Sequence, residues 1–127
     1  MRCRAFAVVV LSVAAGLWGA ADSQFFQLEQ ANKNGTVQII GKNISGSPIV
    51  AYVVVAEHAQ KRMVWNGVYT RGDSLGVGKS VTLGEITVGS SAEQAKVYVD
   101  YVRLADGTAW GDAKTDQAKE IEARFQK

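Results

Sequence analysis

Three features of the sequence predict an all-β domain, an antiparallel sandwich followed by a short C-terminal α-helix. Two long segments, residues 49–56 and 95–105, are dense in β-branched and aromatic side chains, the composition of strands. Clusters of Gly, Asn, Ser and Asp separate these and several shorter strand-like runs. Only the tail, residues 112–127, changes period: Ala118, Ile121 and Phe125 fall at i, i+3 and i+7, one face of an amphipathic helix. Strands so spaced, joined by turn chemistry, imply a sandwich of the immunoglobulin kind.

A leader precedes this domain. Arg2 and Arg4 give a positive start, an apolar run covers residues 5–18 with only Ser12 and Gly16 interrupting, and Gly19, Ala20 and Ala21 are small. That is the layout of a secretory signal peptide, with cleavage expected between Ala21 and Asp22 or one residue earlier, after Ala20. The run is shorter than the roughly 20 apolar residues of a membrane span. Residues 1–21 are therefore expected to leave and 22–127 to form one exported domain, periplasmic or extracellular. About 106 residues are enough to build a core without staples.

Charge narrows the partners. Two of the 14 Lys and Arg lie in the leader, whereas all 12 Asp and Glu follow it, so the mature side chains balance. A neutral, scattered charge set gives no footprint for nucleic acid and no polybasic patch for stable membrane association after cleavage. Cys3, the one cysteine, stands before the apolar run; no mature disulfide and no lipid-anchor cysteine is expected.

Along the chain, Phe25, Phe26 and Leu28 open either an edge strand or a short helix, and 32–35 (Asn-Lys-Asn-Gly) signal a turn. Residues 36–41 read as a strand and 42–48, with Asn, Ser, Gly and Pro, as a loop. The near-continuous apolar run 49–56 fits a strand covered on both faces. Within 63–70, Asn66-Gly67 is either a two-residue turn or a bulge. A glycine-rich loop at 71–79 leads to a half-buried strand at 80–88, and 89–93 is another turn. In 95–105, strict alternation puts Val97, Val99 and Tyr101 on one face and Tyr98, Asp100, Val102 and Leu104 on the other. Asp106-Gly107 makes a tight hairpin turn into Trp110. The helix, at about 113–126 with Asp112 or Thr115 as cap, is expected to cover an open edge or end of the sheets.

Reactive chemistry is sparse. His58 is the single histidine, on a polar hairpin tip, and no Gly-x-Ser-x-Gly elbow raises a serine beside it. One histidine, no mature cysteine and scattered carboxylates cannot build a tetrahedral zinc site, and Asp106, Asp112 and Asp116 lack calcium-loop spacing. No catalytic residue, cofactor or metal is expected. Asp100, the one acid inside a confident strand, is expected to pair with Arg103 or backbone amides.

The remaining candidates concern binding. Arg71-Gly72-Asp73-Ser74 resembles integrin-binding loops, against the simpler reading of a turn built on Gly72 and Asp73. Asn43-Ile44-Ser45 is a formal glycosylation acceptor, or else a loop asparagine bonded to its own backbone. Trp65 and Trp110 either stack on sugars from an exposed face or fill the core, and the core is preferred.

Residues 41–49 (Gly-Lys-Asn-Ile-Ser-Gly-Ser-Pro-Ile), with the strand behind them, resemble the opening of small exported bacterial immunoglobulin-like domains, among them the FxLYD-type modules. The step at 75–81 (Leu-Gly-Val-Gly-Lys-Ser-Val) and the hairpin at 99–111 are similar to later parts of such proteins. The resemblance spans about 35–111, lacks the aromatic–leucine–tyrosine–aspartate signature, and implies fold and compartment with no catalytic residue. The expected function is a non-enzymatic binding or structural module of the bacterial cell envelope. It would contact an unidentified protein partner through loops 42–48 and 71–79. The alternative is a carbohydrate-binding or adhesive module using Trp65, Trp110 or the Arg71-Gly72-Asp73 loop.

Overall fold

A computed structural model describes residues 25–33, 35–58, 61–87 and 95–126. The leader with its Ala21/Asp22 junction, the 89–93 turn, the 59–60 hairpin tip and the side chain of His58 lie outside the described residues. Among the described residues seven strands and one helix follow in order: β1 (Phe26–Lys33), β2 (Thr36–Asn43), β3 (Ile49–His58), β4 (Lys61–Val68), β5 (Ser80–Thr87), β6 (Ala95–Leu104), β7 (Ala109–Trp110) and α1 (Asp116–Phe125). All pairings are antiparallel and form two sheets, β1-β2-β5 and β4-β3-β6-β7. Their inner faces share one core: Phe26, Leu28, Val37 and Ile39 from the first sheet meet Tyr52, Val54, Val99 and Val102 from the second. The protein is a β-sandwich with one helix.

The N-terminal ambiguity resolves as a strand, because β1 pairs along its length with β2, from Phe26 opposite Asn43 to Lys33 opposite Thr36. Strand β2 alternates in burial, and its inward series Val37, Ile39 and Gly41 runs on to Asn43. The loop expected from 42 therefore begins only at Ile44. Asn66-Gly67 is neither turn nor bulge: both residues sit in β4, opposite Val53 and Tyr52. Glycine is required at 67 because the Tyr52 ring lies across it, and a Cβ there would stand 2.7 Å from the phenol. The Trp65 indole covers Gly84 of β5 in the same way, its Nε1 2.5 Å from where a Cβ would sit, so this aromatic ring closes the sandwich between two edge strands. The hairpin loop between Leu104 and Thr108 has three residues, 105–107, one more than a two-residue turn. Leu104 N–H donates to Thr108 O (2.8 Å) and Gly107 N–H to Leu104 O (3.0 Å), with Gly107 at φ 96°.

Strand β6 departs from strict alternation. Val54 faces Val99 and Val53 faces Tyr101, so Asp100 has no partner in β3 and forms a bulge. Before it Val97 and Val99 point inward; after it Val102 and Leu104 do, and Tyr101 turns outward. The sequence expectation that Tyr101 shares a face with Val97 and Val99 is thereby corrected.

The helix is also relocated. It covers neither an edge nor an end, but lies on the outer face of the four-stranded sheet. There Ala118 and Ile121 bury against Ala51, Val53 and Tyr101, with Val64, Val68 and Phe125 around them. This third layer explains the apolar continuity of β3, in which Ala51 and Val53 meet the helix while Tyr52, Val54 and Ala56 meet the opposite sheet. Thr115 is the N-cap, its side chain accepting from Ala118 N–H at 3.0 Å. Across the helix, Arg103 lies 3.3 Å from Glu122 and its guanidinium stacks 4.6 Å from the Phe125 ring centre.

Candidate functional site

One end of the sandwich gathers three loops, 44–48, 69–79 and 105–108, together with the start of β1. Backbone bonds join them: Ala105 N–H donates to Pro48 O (2.8 Å), and Ile49 and Leu75 exchange two bonds of 2.9 Å. Their hub is Asn43, fully buried at the last inward position of β2. Its Nδ2 donates to Ser47 O and Leu75 O, both at 2.9 Å, while its Oδ1 accepts from Ser45 N–H at 2.8 Å. Ser45 Oγ stands 2.7 Å from both Asn43 Oδ1 and Ser47 O and accepts from Ser47 N–H at 3.2 Å. With both amide hydrogens engaged inside the protein, Asn43 in the folded domain is a structural residue and not an accessible glycan acceptor.

The backbone of Asn43 ties the same loops. Its N–H donates to Lys79 O and its carbonyl accepts from Gly78 N–H, both at 2.9 Å. Ile44 donates to Phe25 O at 2.9 Å. On either side of the Asn43–Gly78 bond project Ile44 (45 % exposed) and Val77 (53 %), the large apolar side chains that stand exposed among the described residues. Val77 sits at the tip of a turn closed by Lys79 N–H to Gly76 O (3.0 Å), in which Gly78 takes φ 79°. The turn chemistry of the sequence marked these loops; neither apolar residue was singled out by it, because isolated Ile and Val in polar stretches carry no periodic signal.

Arg71 and Asp73 lie on the same 69–79 loop. Asp73 N–H donates to Thr70 O at 2.8 Å and Gly72 adopts φ 86°, so a tight turn presents both charged side chains to solvent. Neither enters an ion pair among the described residues. Trp65 and Trp110 are not brought together. They occupy β4 and β7, the two edges of the four-stranded sheet, each half-buried and packed against the core.

Asp100 is 2 % exposed and belongs to the architecture. Its Oδ1 accepts from Lys114 N–H (3.0 Å), and its Oδ2 from Thr115 N–H (2.9 Å) and Thr115 Oγ1 (2.8 Å). Burial pushes its pKa up, but those three bonds and the charge of Arg62 outweigh it and hold the carboxyl below its ordinary value. The partners are two backbone amides and the Thr115 hydroxyl, and not Arg103. Asp106 accepts from Thr108 N–H at 2.9 Å and serves the hairpin turn. His58 ends β3 opposite Lys61. Among the described residues no group of three His, Cys, Asp or Glu is placed to hold a metal ion, and no helix is long and apolar enough to cross a membrane.

Compared with protein-family models, curated proteins and solved structures, the chain matches none.

Proposed function

We propose that this protein is an exported, non-enzymatic immunoglobulin-like module of the bacterial cell envelope, acting through protein contacts made by its three-loop end. The observation that carries the reading is the Asn43 hub, which fixes loops 44–48 and 69–79 and holds Ile44 and Val77 exposed above it. A surface ordered before binding loses less entropy on association. The strand order supports the fold type: it differs from the seven-strand immunoglobulin constant arrangement only in the fourth strand, which here pairs with the third. In such sandwiches, loops that cluster at one end are common binding surfaces.

The test compares capture from envelope extracts by the native protein, by Ile44→Asp/Val77→Asp, and by Arg71→Ala/Asp73→Ala. A partner retained by the native protein and lost with the first pair is the expected result. Equal retention by all three, or retention by none, overturns the assignment.

The adhesive alternative rests on the exposed Arg71–Asp73 turn, and loss of capture with that pair alone favours it. For the tryptophans, the prediction is that acrylamide quenches both indoles weakly and that glycans leave their emission unchanged. A glycan-induced shift abolished by Trp65→Phe or Trp110→Phe instead supports a sugar site.

A further inference from the structure

We infer that α1 is exchangeable: it seats on the sheet of a second copy of this chain as well as on its own, giving a dimer in which each copy covers the outer face of the other.

The occupant of that face is already in the structure. Ala51, Val53 and Tyr101 lie buried beneath Ala118 and Ile121. A second copy brings the same helix, so the same contacts form between copies without any new surface. They are the apolar seat, the Arg103–Glu122 pair, and the Asp100 carboxylate with the Lys114 and Thr115 amides. Because α1 follows all seven strands, its departure unpairs none of them. Its own grip is small. Ala118 and Ile121 are its buried residues, with Phe125 half-covered beside them. A helix this short does not hold its shape alone in water, so it needs a sheet, its own or another's.

The hinge supplies the bias. Residues 111–115 carry the chain from β7 over β6, and there Ala113 takes φ 53°, the non-glycine residue with positive φ among the described residues. In that region a Cβ crowds the carbonyl that follows, which disfavours alanine. The closed fold holds the strained turn through Asp100, whose carbonyl accepts from Ala113 N–H at 2.9 Å and whose carboxylate takes the next two amides. An extended hinge releases the strain, while Lys114 and Thr115 bond to the second copy's Asp100. Short hinges under strain favour such exchange.

Hinge length also fixes where the second copy lies. Residues 111–114 reach at most ~14 Å when extended, so the copies meet beside Asp100. On that side of β6, β7 pairs with Val102 and Arg103 alone, and residues 96–99 face no strand among the described residues. The edge is open where the hinge must cross. Dilute protein stays closed, because its own tethered helix is present at a higher effective concentration than any other.

The experiment uses the exported protein as processed by its source, stored at millimolar concentration and then diluted. Size exclusion with light scattering is expected to find a dimer that outlasts the dilution, because reversion requires both helices to leave their seats. When isotope-labelled and unlabelled protein are mixed in equal parts before storage, isotope-filtered NMR of the dimer should show Ile121 of one copy against Val53 or Tyr101 of the other. Ala113→Gly removes the strain and is expected to lower the dimer fraction about tenfold. No dimer, a dimer without helix contacts between copies, or an Ala113→Gly protein as dimeric as the native one overturns the inference. Ile44→Asp/Val77→Asp should leave the dimer unchanged. If that pair abolishes it, the copies meet through the three-loop end: the exchange falls, and that end remains a protein contact.

Discussion

At Asp100 a carboxylate is almost wholly withdrawn from water, and the fold keeps it ionised by aiming two amides and a hydroxyl at it. Removing it strands those donors beside a buried strand. Asp100→Ala is therefore expected to lower the unfolding free energy by about 3 kcal/mol in urea titrations, more than an ordinary surface change. The pH dependence follows from the same geometry. Because the folded pKa lies below that of a free carboxyl, about 3.9, the stabilisation is complete above that value and is lost as pH falls through the folded value. Asp100→Asn should flatten this acid limb in stability measured against pH. Glu122 and Asp106, also held below their ordinary values, contribute to the slope that remains: Glu122 lies beside the Tyr101 hydroxyl and accepts from Gln126 and Arg103, and Asp106 accepts from the Thr108 amide. Asn43 behaves differently, having no charge to titrate. Asn43→Ala removes one of the two donors that Leu75 O and Ser47 O each receive, takes the acceptor from Ser45 N–H, and is expected to cost about 2 kcal/mol. Faster amide exchange at Ser45, Ser47 and Gly78 should accompany it. The sequence marked Asp100 as a buried acid in need of donors and left Asn43 between a glycan site and a backbone-bonded loop residue. What decided Asn43 was its place at the end of the inward series Val37, Ile39 and Gly41.

At the scale of elements, aromatic rings and glycines were legible separately and their pairing was not. Gly84 reads in sequence as an interruption of alternating Val81, Leu83 and Ile86; in the structure it is the floor under Trp65. Gly84→Val is expected to displace the indole, destabilise the protein by about 2 kcal/mol and shift tryptophan emission toward that of exposed indole. The helix was predicted from period and cap residues and placed wrongly, since i, i+3, i+7 spacing identifies an apolar face but not the surface that receives it. Its receiver is read from β3, where apolar residues on both parities require a cover on each side. A chain ending before Asp112 exposes Ala51, Val53, Val64 and Tyr101 together. Sedimentation velocity should then detect self-association, which the intact protein lacks if the helix is the sole function of that face.

For the molecule as a whole, the two-sheet sandwich followed from strand composition and turn spacing, because each sheet must bury one face against another layer. The grouping of loops at one end was not visible, since 44–48, 69–79 and 105–108 are separated by entire strands and meet only once the sheets stack. The bulge that seats Asp100 has a consequence for how this assembly is divided. Skipping that residue leaves Val99, Tyr101 and Val102 in perfect in–out–in order, so the sandwich has no use for it. Only the appended helix does. A protein shortened by Asp100 alone should retain its seven-stranded sandwich while its C-terminal segment, deprived of the carboxylate that receives Lys114 and Thr115, docks less firmly on the outer face.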